Sequence, residues 1–484
     1  MLFNSYVFVF LFFPLTLLGY YYCLKAGRKL WNGTYCVSLG NAFLFAASLV
    51  FYGWLHPEYL PVLVSSMAVN YGIFRQIERA RRKKWVLAAG IFINLAVLVC
   101  FKYLGKGDFV PLGVSFFTFT QIAFLMEGYG GNLKNVRALS YGLYVSFFPK
   151  MIQGPIALPE EMVPQFESNR NSLDWEKIYR CLYLFVLGLF KKVLLADTLG
   201  KAVDFGYANL ASLNSWDGLI VMLSYTLQLY FDFSGYCDMA MGIAGLLGID
   251  LPLNFDSPYK ASNIMEFWKG WHMTLTRFFT KYLYIPLGGN RKGKARTYLN
   301  CLIIFLVSGV WHGAGWQFIV WGFLHGALYV LTRAWKDFGR KKERPERREN
   351  KILHGICVFL TFLYVNVAWI FFRAPSVREA VALLRTICSL RFGRINWDLA
   401  GCFNLDEFWY VIKVAGIDSW QYAHYILMFL ILAGILLLIF FGKNAVNMVK
   451  KAKPNLINII FMVVLFIWSI LSFSGVSSFL YVNF

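Results

Sequence analysis

Two histidines stand where imidazole chemistry would proceed away from bulk water. His312 lies in Trp311-His312-Gly313, between the apolar stretches Tyr298 to Val310 and Trp316 to Leu331. An ionisable side chain carried to membrane depth is expensive and marks a functional site by default. Gly309, Gly313 and Gly315 surround it in a tight hairpin, and irregular backbone is tolerated at that depth where it is buried in protein or lines a cavity. A neutral imidazole there can take a proton from an acceptor hydroxyl, because it titrates near neutrality. The competing reading is a core histidine satisfied by a backbone carbonyl. A second histidine closes the aromatic-rich run Phe267-Trp268-Lys269-Gly270-Trp271-His272.

On a helical wheel of Asn263 to Tyr284, Trp268, Trp271, Leu275, Phe278, Phe279 and Tyr282 form one stripe, with Lys269, Arg277 and Lys281 away from it and His272 at its edge. Such a helix would lie at the cytoplasmic interface, its cations among lipid headgroups or an anionic substrate's phosphates. This segment alone equally allows His272 to be a hydrogen-bonded neighbour of another helix. His325, four residues after Trp321, is expected to be packed and hydrogen-bonded, and His56, His354 and His424 to lie at interfaces or in loops. Asp232, Asp238 and Asn254 are polar groups in costly positions. They either orient a histidine and line a tunnel or tie unwound helix ends together; for Asp238 the structural task is expected. Phe148 to Pro155, with two prolines and a glycine, is either a kink in a tunnel wall or a helix end.

The elements that must hold these residues follow from composition. Apolar residues make up 58% of the 484 and charged residues 15%, outside the range of soluble domains. Stretches near the roughly 20 residues needed to span a bilayer recur throughout, so residues 1–484 read as one integral-membrane domain. The first stretch, Ser5 to Cys23, lacks the flanks of a cleaved signal and reads as a retained helix. Further spans are expected at Cys36 to Trp54, Leu60 to Phe74, Trp85 to Tyr103, Val136 to Gln153, Ile178 to Ala196, Trp216 to Phe231, Ile352 to Phe372, Tyr422 to Phe441 and Leu456 to Phe473, besides the His312 hairpin, while Val114 to Met126 and Phe233 to Ile249 are each a span, a re-entrant piece or a buried half-helix. The formal charge of +21 concentrates in loops beside apolar runs, a pattern of topology and anionic lipid rather than nucleic acid. Arg79 to Lys84, Arg291 to Arg296 and Arg340 to Lys351 then face the cytoplasm, and the Trp311 to Gly315 tip points outward. Five arginines between Arg373 and Gln421 run against simple alternation, although long loops follow the charge rule poorly. Nine scattered cysteines, Cys36 among them, lack C-x-x-C spacing and read as packed thiols. No P-loop, H-E-x-x-H or G-x-S-x-G motif occurs, which argues against an ATPase, a zincin and an α/β-hydrolase. No metal site is expected, and driving free energy must arrive in an activated substrate or from a partner.

With these blocks assembled, the chain resembles the membrane-bound O-acyltransferase family, in particular its bacterial alginate O-acetyltransferase-like branch. The resemblance rests on Ser146-Phe147-Phe148-Pro149 with Gln153-Gly154-Pro155-Ile156, on Tyr230 to Tyr236, on Phe267 to Gly289, and on Gly309-Val310-Trp311-His312-Gly313. It implies an all-α transmembrane bundle with re-entrant or interfacial helices and a central tunnel in the cell membrane. His312 matches the family's principal catalytic histidine, and His272 a second position that is histidine in this branch and asparagine in many eukaryotic relatives. Asn254, Asp232, Trp311, Arg277 and Lys281 complete the expected site as substrate-binding residues. The implied donor is acetyl-CoA or another acetyl thioester arriving from the cytoplasm, with no permanently bound cofactor. The implied acceptor is a polysaccharide outside, reached directly or through a secreted partner protein. Thr280-Lys281 departs from the Arg-Asp of many relatives, and Gly270 from a residue that is often basic. Two rivals remain: D-alanyl transfer to teichoic acid, and a non-enzymatic export channel with a wide polar lining.

Overall fold

The computed structural model describes residues 1–30, 37–104, 110–168, 174–339, 350–405, 412–417, 420, 422–475 and 479–480. Cys36 and nearly all of the Arg340 to Lys351 run lie outside them. Among the described residues all regular structure is helical. In chain order it comprises α1 (Phe13–Leu30), α2 (Ser38–Gly53), α3 (Leu60–Arg79), α4 (Lys83–Val99), α5 (Val114–Gly130), α6 (Ala138–Ser146), α7 (Pro159–Glu167) and α8 (Trp175–Phe190). Next come α9 (Asp197–Ala208), α10 (Ser215–Leu246), α11 (Ile264–Gly270), α12 (Met273–Phe279), α13 (Gly293–His312), α14 (Trp316–Gly339) and α15 (Lys351–Arg373). The last are α16 (Val377–Cys388), α17 (Trp397–Gly401), α18 (Ala423–Phe441), α19 (Ala445–Lys451) and α20 (Leu456–Leu471).

The helices fall into two kinds. Phe8–Leu30, Lys83–Leu104, Lys351–Arg373 and Ala423–Phe441 are long and apolar enough to cross a bilayer, and α2 with the Pro57–Arg79 segment passes the same test as a pair bent by 120°. These helices keep large apolar side chains such as Leu18, Phe92, Phe359 and Phe441 on the outside, where lipid rather than water is the solvent. The second kind, α5 and α10, is enclosed by protein along most of its length. Because α10 is surrounded, it carries Thr226, Gln228, Asp232, Ser234 and Asp238 without meeting lipid.

Sequence patterning divides α10 into spans on either side of Asp232, yet it is one helix of 32 residues. The reason is pairing from a neighbour. A π-helical turn, Lys191–Ala196, follows α8 and aims two lysines inward: Lys192 Nζ lies 2.8 Å from Asp232 and 2.7 Å from Asp197, and Lys191 Nζ lies 2.6 Å from Asp238. The α8 and α10 backbones approach closely through glycine. A Cβ on Gly188 would lie 2.6 Å from the Gly235 carbonyl, and one on Gly242 2.6 Å from that of Cys181, the small-residue contact that membrane helices favour.

Other expectations change in similar ways. The Val136 to Gln153 span shrinks to α6, and Phe147 to Leu158 runs on as turns and extended chain, so the two-proline block is a helix end. The long segment after Arg373 carries helices α16 and α17 among the described residues. The expected helix over Asn263 to Tyr284 breaks in the middle, into α11, α12 and a π-turn at Thr280–Tyr284.

Replacing Lys192 with Met would strand two buried carboxylates. A loss of about 3–5 kcal/mol is expected for such an unpaired charge, read as a lower midpoint of thermal unfolding in detergent than wild type; an unchanged midpoint would mean that the pairs do not organise α8 and α10.

Candidate active site

α13 delivers His312. Its partner α14 packs against it without intervening side chains, because a Cβ on Gly322 would lie 2.5 Å from the Phe305 carbonyl and one on Gly309 would strike the Phe318 carbonyl. α13 continues through His312, so the turn is narrower than the expected Trp311 to Gly315 tip. It is confined to 313–315, where a Cβ on Gly313 would collide with the Phe318 ring. The carbonyls at this helix end find donors on the π-turn that follows α4, Cys100–Leu104. Lys102 Nζ donates to Trp311 O at 2.5 Å, and the Tyr103 hydroxyl donates to Val310 O. His312 is buried, with Trp311, Trp321 and Phe372 edge-on to its ring at centroid distances of 4.6, 5.1 and 5.0 Å. This aromatic wall excludes water and holds the imidazole in one orientation.

His272 sits at the break between α11 and α12 with φ +43°, a left-handed conformation that a non-glycine residue adopts only when its surroundings hold it there. They do so through Asn254. Its backbone carbonyl accepts from Met273 N at 2.9 Å. Its side-chain oxygen accepts from Thr274 N at 3.2 Å and Thr274 Oγ1 at 2.8 Å, and lies 3.1 Å from His272 Nδ1. Because Asn254 Oδ1 is fixed as an acceptor by the Thr274 N–H, the neutral His272 ring carries its proton on Nδ1 and its lone pair on Nε2. Thr274 Oγ1 also accepts from Ile156 N at 3.0 Å, joining the Gln153-Gly154-Pro155-Ile156 block to the histidine. Phe233 closes edge-on at 4.7 Å.

Two cavities flank this centre. The inner one, about 600 Å³, is lined by Lys269, Arg277, Lys281 and Arg333 together with Trp268, Thr274, Phe305 and Ser308 among others. Ser308 lies one helical turn before His312. The outer crevice, about 30 Å³, is lined by Lys102, Gly113, Ser115, Ile152, Trp311 and His312 among others. The two spaces meet α13 at Ser308 and at His312, one helical turn apart. His272 stands behind the wall of the inner cavity, with Met273 and Thr274 in the lining. The sides are assigned by charge: α4 and α13 both begin beside basic runs, and both end together where Lys102 meets Trp311.

The structure brings Trp311 to His312 and Asn254 to His272, and puts Arg277 and Lys281 on the inner cavity. Both cations also have protein partners. Arg277 grips Glu161 with both nitrogens, Nη2 at 2.8 Å from Oε2, and Lys281 lies 2.8 Å from Glu127 and 3.0 Å from Glu160. Burial alone would lower the Lys281 pKa, but hydrogen bonds to those two carboxylates raise it above the usual lysine value. Asp232 is not brought to either histidine: Lys192 and the Leu480 N–H hold its oxygens. His325 corrects another expectation. It is buried among Phe267, Trp268, Trp321 and Trp369, and neither ring nitrogen has a hydrogen-bond partner among the described residues. Lys102 and Ser115 went unremarked in the sequence, although a lysine inside the Trp85 to Tyr103 stretch was a visible signal.

The comparisons with known proteins agree with this architecture. The family model described as MBOAT, membrane-bound O-acyltransferase family, matches residues 59–372. The chain belongs to that family. It is a multi-pass membrane O-acyltransferase. It is 40% identical over 436 residues to a peptidoglycan O-acetyltransferase of Helicobacter pylori, covering 81% of this chain and 80% of the relative. It is 34% identical over 482 residues to a probable alginate O-acetylase AlgI of Azotobacter vinelandii, covering 94% and 88%. It is 27% identical over 330 residues to a teichoic acid D-alanyltransferase of Streptococcus thermophilus, covering 62% and 78%.

Replacing Asn254 with Ala would leave the Thr274 donors and the His272 Nδ1–H without their acceptor. About 1–3 kcal/mol of stability should be lost, with a fall in acyl transfer beyond what the loss of folded protein explains. Normal transfer at full expression would show that His272 needs no such anchor.

Proposed function

We propose that this acyltransferase moves an acetyl group from a cytoplasmic thioester, acetyl-CoA, to a hydroxyl of an exported polysaccharide or cell-wall glycan on the outer side of the cytoplasmic membrane. The observation that carries the reading is the placement of His312, which faces the outer crevice while Ser308, on the same helix, lines the inner cavity. A donor entering beside Lys269, Arg277, Lys281 and Arg333 has a basic mouth for its phosphates and an apolar interior for its acyl arm. An acceptor entering beside Trp311 brings its hydroxyl to the imidazole.

In this mechanism His312 removes the hydroxyl proton as the oxygen attacks the thioester carbonyl. The C–O bond forms, the C–S bond of the tetrahedral intermediate breaks, and His312 returns the proton to the departing thiolate. Alignment of both substrates in a dry site supplies much of the rate enhancement. Asn254 holds His272 in one tautomer, so that its Nε2 lone pair and its field stay fixed relative to His312. Trp311, Arg277 and Lys281 act in substrate binding, and the ion pairs of the two cations leave Lys269 and Arg333 as further phosphate contacts. Asp232 serves the fold. A secreted protein that relays the acetyl group to the glycan is compatible with the same chemistry.

The relatives named for O-acetyl transfer match more of the chain, at higher identity, than the D-alanyl transferase does, which favours acetyl over D-alanyl. Complementing a deletion strain with His312→Ala tests the reading through mass spectrometry of exopolysaccharide, peptidoglycan and teichoic acid. Glycan O-acetyl groups should fall by at least about 10²-fold with membrane insertion intact. Undiminished acetylation would remove His312 from the chemistry, and loss of D-alanyl esters instead would select the rival.

A further inference from the structure

The cations that line the inner cavity are held in two ways. Arg333 bonds to neutral groups, with Nη2 2.9 Å from Asn290 Oδ1 and Nη1 3.4 Å from the Tyr284 hydroxyl. Arg277 and Lys281 are instead held by acids that two successive residues of α7 supply. Glu161 accepts from both terminal nitrogens of Arg277, and Glu160 lies 3.0 Å from Lys281. Both acids stand in the first turn of α7, where the positive end of the helix dipole favours the ionised carboxylate. A guanidinium fork or an ammonium that fits a carboxylate also fits a phosphate, so each acid occupies the place of a donor phosphate. These pairs are able to open. The side chains of Arg277 and Glu161 are each 36% exposed, and those of Lys281 and Glu160 32% and 42%, whereas Lys192 and Asp232 are each 1% exposed. A carboxylate released from Arg277 or Lys281 returns to water, and nothing is stranded. Glu161 still accepts from Leu158 N at 3.0 Å, and Lys281, with three N–H donors, keeps Glu127 at 2.8 Å.

We infer that Glu160 and Glu161 are standing rivals of the donor's phosphates, and that they set how firmly the cavity holds CoA and how readily it lets CoA go. The inference rests on the donor reading above and gives two acids a part in turnover. Acetyl-CoA and the CoA left after transfer carry the same phosphates, so whatever the cations contribute to holding one they contribute to holding the other. Such uniform binding does nothing for the chemical step, and it delays departure of the product. A carboxylate that returns to Arg277 or Lys281 as a phosphate leaves offsets that delay. In the donor-free cavity three carboxylates, Glu127, Glu160 and Glu161, face these two cations. A phosphate arriving there is held by the difference between two anions rather than by the full attraction of a bare cation. Arg333, bonded only to neutral groups, supplies attraction that no acid opposes. The step is an exchange of ion pairs: Glu160 and Glu161 stay ionised throughout, and no proton moves.

The test measures CoA binding to the full-length protein in phosphatidylcholine nanodiscs by calorimetry, with no acceptor present. Glu160→Gln and Glu161→Gln keep the size of the side chain, and glutamine retains the oxygen that caps α7. Each variant should bind CoA about two- to fivefold more tightly than wild type, with the gain appearing as slower dissociation in stopped-flow measurements. Pantetheine, which has no phosphate, should gain nothing. If the two acids instead orient Arg277 and Lys281 for the donor, both variants bind CoA more weakly. That result overturns the inference, as does unchanged affinity or an equal gain for pantetheine. Glu160→Gln decides alone if Glu161→Gln fails to fold, because Lys281 keeps Glu127. Absence of CoA binding by wild type would instead count against the donor reading itself.

Discussion

Within a bilayer no water is on hand to satisfy a backbone N–H or carbonyl, so each must find its partner inside the protein. The surroundings of the two histidines follow from this constraint. The last carbonyls of α13 would be orphaned at the turn after His312, and Lys102 and Tyr103 reach across from another helix to meet them. The broken backbone at His272 would expose Thr274 and Met273 donors, and Asn254 meets both. Each repair also fixes an imidazole. Partnering the backbone and positioning the histidine are accomplished by the same contacts.

The same constraint divides the bundle. Helices that face lipid are almost purely apolar and pass a hydropathy test, whereas the enclosed α5 and α10 carry the polar groups that build the interior. Asp197, Asp232 and Asp238 enter the interior paired with Lys192 and Lys191, since an isolated ion there would be costly. The aromatic rings around His312 and His325 fill the remaining volume and keep the reaction centre dry.

Much of this was legible in the residues. Apolar runs located most spans, and an intramembrane histidine between glycines announced itself at His312. What escaped were features decided by distant parts of the chain. Asp232 looked like an interruption of two spans because its lysine lies 40 residues away. Arg277 and Lys281 looked like unpaired cations because Glu160 and Glu161 arrive from α7. The break at His272 is not announced by a glycine or proline in its place, and contacts from the distant Asn254 hold its positive φ. Lys102 sits near the end of an apolar run, and only the fold turns it toward α13.

The central claim is that acyl transfer occurs at His312 between substrates approaching from opposite faces. Proteoliposomes of uniform orientation test it most directly, with radiolabelled acetyl-CoA confined to the basic, cytoplasmic face and a glycan acceptor to the other. The account predicts labelled acceptor in proportion to time with wild type and none with His312→Gln. Labelling by that variant, or labelling only when donor and acceptor share a compartment, would contradict it.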